Sequence, residues 1–341
     1  MAHVLTVNVG STSLKLALLA EGSEQPLAAR ELPAPAAGGS LAQLGEVLAG
    51  ELSGADCVAH RIVHGGERFR TAALIDAEVR AELEQLAALA PLHQPLALAI
   101  LDATTKVLPG LPAVACFDTA FHSTLPQAAS TFALPAAWRE RFRLRRYGFH
   151  GLSHAHVARQ VAARLGPGLR LISCHLGAGA SLCAIADGHS VDTTMGFTPL
   201  DGLVMATRSG SVDPGLILWL LEQGGLSTAE VADGLEHQSG LRGLAASADM
   251  RTVLASRAAG DPAAKLAIDV YLHRLRTGIG SMLAALAGVD VIAFTGGVGE
   301  SSHEIREGAL AGLEALIGDA RVLVVAARED LEMARQARTL L

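Results

Sequence analysis

The chain has 341 residues, with Lys+Arg 27 against Asp+Glu 34 and a formal net charge of −7; half of it is hydrophobic, 4% is aromatic and 36 residues are Gly. So apolar a chain is not disordered, and an acidic balance argues against a nucleic-acid binder, whose affinity comes from surplus Lys and Arg. No stretch of about 18 residues is free of polar groups, so no membrane span is expected. MAHVLTVNVGSTSLKL has no basic region followed by an apolar run, so no secretory leader is expected. The length predicts two domains. Cys57, Cys116, Cys174 and Cys183 sit in strand-like runs without CxxC spacing, which predicts buried free thiols in a reducing cytoplasm rather than a zinc site or disulfides.

Strand-like and helix-like segments alternate along the chain, the pattern of an α/β protein. Val4–Asn8 and Leu14–Leu19 read as two strands joined by the turn Gly10-Ser11-Thr12-Ser13. Pro26–Ser40, with PAPAAGGS, reads as a loop before a helix at Leu41–Leu52. Cys57–Val63 is strand-like, Asp76 caps a helix reaching Ala90, Leu96–Val107 is a second helix, and Ala113–Phe117 is a strand ending at Asp118. The pattern then restarts. His154–Leu165 is helical, and Leu169–His175 and Ser181–Ala186 are strands about a Gly177–Ala180 turn. Ser13-Leu14 and Ser181-Leu182 hint at an internal duplication. A long helix at Ala263–Ala287, a strand at Val291–Thr295, a helix near Ser302–Leu316, a strand at Arg321–Ala326 and a helix at Asp330–Leu341 complete the chain.

Three glycine-rich turns each follow a strand: NVGSTS at 8–13, HLGAGAS at 175–181 and TGGVGES at 295–301. Small residues let backbone N–H groups approach phosphate oxygens. A single such turn is what any hairpin needs; three suggest one nucleotide gripped from several sides. None matches GxxxxGK[ST] or GxGxxG. Arg61 and Arg208 stand in apolar, glycine-rich surroundings, in HRIVHGG and TRSG, where a guanidinium suits bidentate contact with carboxylate or phosphate; the bland alternative is a structural or surface role. His150, between Phe149 and Gly151, is either an active-site group or a satisfied polar one. Asp118, at a strand end, and Glu329, beside Asp330 ahead of the last helix, suit Mg²⁺, although helix-dipole compensation is the bland explanation of the latter.

NVGSTSLK, HRIVHGGE, PLHQP, CFDTAFH, YGFHGLSH, HLGAGASL, DTTMGFTPLDGL, TRSGSVDPG and FTGGVGE, in this order, make the chain resemble the acetate kinase family of the sugar kinase, actin and heat-shock chaperone ATPase superfamily. The resemblance implies an α/β fold of two ribonuclease H-like (actin-like ATPase) domains with an inter-domain nucleotide cleft. The N-terminal domain would be 1–121 plus 331–341, and 122–330 the nucleotide-binding one. It implies Asn8, Ser11, Ser13 and Lys15 at the first phosphate loop, His175, Gly177 and Gly179 at the second, and Asp249, Arg251, Gly297 and Gly299 on the adenosine side. It further implies Arg61, Arg208, His150, His93 and Asp118 as catalytic groups. Val63, Leu92, Phe149 and Pro199 would form a small pocket for the acyl methyl, and Asn8, Asp118 and Glu329 would hold Mg²⁺, with Mn²⁺ as an alternative. The expected activity is reversible phosphoryl transfer from ATP to acetate, in a cytoplasmic homodimer with no nucleic-acid or membrane partner. A kinase of propionate or another short acid, or a non-kinase actin-like ATPase, are the alternatives. The helix at Ala263–Ala287 would line the dimer interface or lie within the subunit. Two positions depart from the family pattern: Ala178 stands where HLGNGAS has Asn, and Ser301 where GIGEN has Asn.

Overall fold

A computed structural model describes residues 2–10, 13–33, 41–90 and 93–341. In chain order its first half runs β1 Val4–Val9, β2 Ser13–Leu19, β3 Ala28–Pro33, α1 Leu41–Ala49, β4 Cys57–Ile62, β5 Ala73–Leu74, α2 Ala77–Gln85, α3 Gln94–Val107, β6 Ala113–Phe117, α4 Gln127–Ser130, α5 Ala136–Phe142 and α6 Gly151–Leu165. The second runs β7 Arg170–Leu176, β8 Ala180–Ala186, β9 His189–Thr193, α7 Pro214–Glu222, α8 Thr228–His237, α9 Gly240–Ala245, α10 Met250–Ala258, α11 Pro262–Leu286, β10 Val291–Thr295, α12 Gly296–Ser301, α13 His303–Leu310, α14 Glu314–Ile317, β11 Arg321–Val324 and α15 Glu329–Arg338. Two compact units result. Unit 1 is Met1–Ser123, Phe149–His156 and Arg328–Leu341; unit 2 is Thr124–Gly148 and Val157–Ala327.

Unit 1 holds a six-stranded sheet in the order β3-β2-β1-β4-β6-β5. β1, β4 and β6 are mutually parallel, and β2, β3 and β5 are antiparallel to their neighbours. Side chains alternate between the two faces of a strand. Leu5, Val7, Val58, Ile62, Ala115 and Phe117 enter the core shared with Leu44 and Leu48 of α1 and Leu98 of α3. Val4, Cys57, Ala59, Val114 and Cys116 enter a second core against Met333, Ala334 and Ala337 of α15. Continued by two residues, this alternation puts Asn8, Arg61 and Asp118 on the α15 side, at the C-terminal ends of three neighbouring parallel strands.

Unit 2 holds the order β11-β10-β7-β8-β9, with β7, β10 and β11 parallel and β8 and β9 antiparallel. Leaving aside the two-residue β5, this is the order of unit 1. The duplication is thus carried by topology, but not by the serines. The last two ladder pairs before each turn are Asn8–Lys15 with Val9–Leu14, and His175–Ser181 with Leu176–Ala180. Position for position, Asn8–Lys15 therefore corresponds to His175–Ser181. Ile268, Tyr271, Leu275 and Ile279 of α11 are buried, and this helix packs against β7, β8 and β9.

The segment expected to be a loop at 26–40 contains β3, which pairs with β2 from Ser13–Pro33 to Leu18–Ala28. The helix expected near 302–316 breaks into α13 and α14, with Gly312 at φ +83° between them. Asp76 caps α2 as expected, its side chain accepting from Val79 N at 2.8 Å. All four cysteines are buried and free; burial pushes Cys57 up to about 11 and Cys183 up to about 12. Among the described residues, no helix is long and apolar enough to cross a membrane.

Candidate active site

In unit 1 the strand ends converge on one guanidinium. Arg61 Nε donates to Asp118 Oδ1 and Oδ2 at 3.2 and 3.0 Å, and Nη2 donates to Oδ2 at 2.6 Å. Arg61 Nη1 donates to Asn8 Oδ1 at 3.0 Å, and Asn8 Nδ2 donates to Glu329 Oε2 at 2.9 Å. The side chains of Arg61 and Asp118 are 16% and 2% exposed. Burial works against the Arg61 charge, yet Asp118 and Glu329 outweigh it and hold the guanidinium pKa above its usual value. Burial pushes the Asp118 carboxyl above the ordinary carboxylate range, against the pull of Arg61, and the like charge of Glu329 adds to the rise. Two carboxylates around one guanidinium leave the cluster one negative charge in excess.

That excess, and the hard oxygen donors of Asp118, Glu329 and Asn8, fit Mg²⁺, which binds through one or two carboxylates and fills its shell from phosphates and waters. No group of three or more His, Cys, Asp and Glu side chains is disposed to hold a metal alone among the described residues. Glu329 is also in the first turn of α15, where a carboxylate is favoured by the helix dipole.

His150 sits just before α6 in a left-handed conformation, φ +57°. Gly151 N donates to the carbonyl of Asp118 at 2.8 Å. A Cβ on Gly151 would collide with that same carbonyl, so glycine lets the His150 segment close onto the Asp118 backbone. Phe149 is buried, its ring edge-on to His64 with centroids 5.6 Å apart, and His122 Nε2 lies 2.9 Å from its carbonyl oxygen. Val63 is buried beside His64, and His93 stands at the N-cap of α3. Lys15 is exposed and pairs with Asn8, which puts it on the same face of the sheet. Ser13 accepts from Gly10 N through its carbonyl at 2.8 Å. Ser11 and Leu92 lie outside the described residues.

In unit 2 three loops adjoin. Gly177 N donates to Gly179 O at 2.9 Å, closing the β7–β8 turn, and Ala206 N donates to Ala178 O at 3.1 Å. That bond ties the turn to the loop carrying Arg208, whose Nη1 donates to Pro199 O at 2.6 Å. Gly296, at φ +79°, lies against the Leu176 carbonyl, where a Cβ would clash. A Cβ on Gly297 would meet nothing within 4 Å and one on Gly299 only ordinary contacts. His175 is buried opposite Ser181. Asp249 caps α10 and pairs with Arg251 at 2.8 Å, with 45% and 87% of the two side chains exposed.

Sequence reading passed over three groups that hold these loops. Glu300 Oε1 accepts from Gly296 N at 3.1 Å and from Ala327 N at 2.9 Å. Thr119 Oγ1 accepts from Gly65 N at 3.0 Å. Asp201 Oδ1 accepts from Gly202 N and Ser211 Oγ. Each lies within or beside a motif quoted above, which is the signal that would have found it.

A sequence profile of the acetokinase family matches residues 40–328. The chain belongs to the acetokinase family. It is 50% identical over 261 residues to an acetate kinase of Bacillus mycoides (strain KBAB4), an alignment that takes in 75% of the chain and 66% of that relative. The chain thus spans just under two thirds of the length of that curated relative. Among solved structures, a propionate kinase from Francisella tularensis subsp. tularensis SCHU S4 superposes with a TM-score of 0.91 at 33% identity, covering 98% of this chain and 99% of that one. The Porphyromonas gingivalis acetate kinase superposes with a TM-score of 0.90 at 33% identity over 100% of both chains. The expected fold class, α/β with two actin-like ATPase domains, therefore holds.

Proposed function

We propose that the chain transfers the terminal phosphoryl group of ATP to acetate, reversibly and with Mg²⁺, giving acetyl phosphate and ADP. The observation that carries this reading is the partly buried Asp118–Arg61–Asn8–Glu329 chain of hydrogen bonds. A carboxylic acid of ordinary pKa is already ionised at neutral pH, so its attack needs no base. The difficulty is bringing one anion to another, and phosphoryl transfer is met by positioning and electrostatics. Arg61, kept charged and aimed by Asp118 and Asn8, would align the carboxylate. Asp118, with both oxygens on Arg61, acts as an orienting group rather than as a base. His150 would donate to the phosphoryl oxygens and Arg208 would neutralise them. Mg²⁺, with Asp118, Glu329 and Asn8 as its protein groups and Mn²⁺ as an alternative, would offset the charge of the nucleotide phosphates.

The turns at 177–179 and 296–299 are assigned to the nucleotide, with His175, Lys15, Ser11 and Ser13 beside its phosphates and Asp249 and Arg251 on its adenosine side. The open space at Gly297 supports this, because the chain itself sets no need for glycine there. Val63, Leu92, Phe149 and Pro199 are assigned to the acyl methyl, with His93 nearby. Since one methylene is worth only about 1–3 kcal/mol of discrimination, propionate is the second reading, favoured by the likeness to a propionate kinase. We assign a cytoplasmic location. The proposed homodimer uses α7, not α11, whose apolar stripe is internal to unit 2. α7 has no buried residue, and Leu216, Leu218 and Trp219 are 46%, 57% and 57% exposed, an apolar face that a second copy would cover.

Trapping the acyl phosphate with hydroxylamine on acetate, propionate and butyrate tests the reading. Hydroxamate is expected from acetate, less from propionate and least from butyrate. ADP formation that ignores the added acid would instead indicate an actin-like ATPase.

A further inference from the structure

The loop 196–211 carries both Pro199 and Arg208, and one carboxylate closes it. Asp201 Oδ1 accepts from Gly202 N at 2.9 Å and from Ser211 Oγ at 2.5 Å. Ser211 N donates to Gly202 O at 3.0 Å, so the two ends of the segment 202–211 are pinned together. Asp201 Oδ2 lies 3.7 Å from Arg146 Nη1, which donates to the carbonyls of Thr193, Thr194 and Met195. Gly196, at the loop's start, abuts the Asp201 side chain so closely that a Cβ would clash, and its carbonyl accepts from Tyr147 N and Gly148 N. Gly210, at φ +70°, presses on the carbonyls of Gly202 and Leu203.

We propose that Asp201, through its latch to Ser211 and Gly202, is a positioning residue that sets where Pro199 and Arg208 stand, and thereby the acid the enzyme prefers. The inference rests on the kinase reading given above. Arg208 is bonded to Pro199 O, so a shift of the latched ends moves the pocket wall and the guanidinium together. Pro199 stands outside the turns assigned to the nucleotide, whereas the loop reaches one of them through the bond from Ala206 N to Ala178 O, so the effect falls more on the acid than on ATP.

Asp201→Ala, Asp201→Asn and Ser211→Ala in the full chain, assayed with acetate and propionate at varied ATP, test this. Asp201→Ala is expected to lower kcat/KM for acetate about tenfold and to change the acetate-to-propionate ratio several-fold, with a smaller change in KM for ATP. Asp201→Asn keeps an oxygen acceptor and is expected to restore most of both values. Ser211→Ala, which removes one arm of the latch, is expected to move the ratio in the same direction but less, and carries the test if Asp201→Ala does not fold. A folded Asp201→Ala or Ser211→Ala with an unaltered ratio overturns the proposal, as does an equal loss toward ATP and acid. A wild-type chain that forms no hydroxamate from any short acid overturns the kinase reading, and this inference with it.

Discussion

The two units share a strand order and load its ends differently. Unit 1 places charge there: Arg61 is held by Asp118 and Asn8, and Glu329 closes the row. Unit 2 presents backbone there, in the glycine turns at 177–179 and 296–299, and its Arg208 is half-buried on a carbonyl. Equal topology thus yields a site that is part of the core in one unit and an appendage of the loops in the other. Removing the cation beside a buried carboxylate strands an uncompensated charge, whereas removing the Arg208 bond to the Pro199 carbonyl strands none.

Arg61→Ala is the strongest way to break that contrast. It leaves Asp118 buried beside Glu329 and is expected to cost about 3–5 kcal/mol of stability together with nearly all turnover. With burial raising its folded pKa above the unfolded value, Asp118 favours folding at low pH, and that contribution is lost as pH rises. The penalty should therefore be smaller at pH 5 than at pH 8 in urea titrations; an equal penalty would show that Asp118 is not stranded. Arg208→Ala is expected to lose about 10²–10³ in turnover while its Tm stays near wild type. A large fall in Tm would place Arg208 with the structural charges of unit 1, and wild-type turnover would remove it from the chemistry.

Much of unit 1 was legible because its strands are short apolar runs that end on the residues of interest: Val4–Asn8, Cys57–Val63 and Ala113–Asp118. β3 escaped because AARELP carries Arg30 and Glu31 in its middle and is mostly exposed, as suits a sheet edge, and it runs into the Pro- and Gly-rich stretch. α7 escaped because GLILWLLE is apolar on every side, which erases the helical period. Arg61 and Asp118 stood out by residue type in an apolar setting. Asp201 and Glu300 did not, because they act on backbone N–H groups, and hydrophobic patterning carries no trace of such partners. The close approach of Gly151 to Asp118 was likewise invisible, since it joins positions 33 residues apart through a carbonyl.

Built-in polarity also makes unit 1 sensitive to acid. His60 and His64 are 2% and 0% exposed, and burial lowers their pKa values to about 3 and about 4. His64 Nδ1 accepts from Gly66 N at 2.9 Å, a bond that protonation would break. Both folded values lie below that of an unfolded histidine, so the unfolded chain binds more protons in acid. This stability is present above about pH 6.5 and is lost as pH falls toward 4. The loss expected at pH 5 is about 2 kcal/mol for each ring. Urea midpoints at pH 7.5, 6 and 5 measure it, and His60→Leu should flatten the slope by one proton. A midpoint unchanged from pH 7.5 to 5 would contradict the neutral, buried assignment.

The smallest effect sharpens the comparison from the side of unit 2. If its turns bind through backbone groups, an added side-chain donor should strengthen them without disturbing the fold. Ala178 is exposed, and its carbonyl is held by Ala206 N, so the backbone is fixed while the side chain faces open space. Ser301 does not compensate, because its Oγ donates to Gly297 O at 2.5 Å. One hydrogen bond to a charged oxygen is worth about 1.5–3 kcal/mol before the entropy of ordering the Asn side chain is subtracted. Ala178→Asn is therefore expected to tighten ATP binding by about three- to tenfold, read by calorimetry without added acid, with Tm unchanged. Unaltered or weaker affinity would mean that position 178 does not face the phosphates, and that the two glycine turns of unit 2 divide the nucleotide differently from the assignment made here.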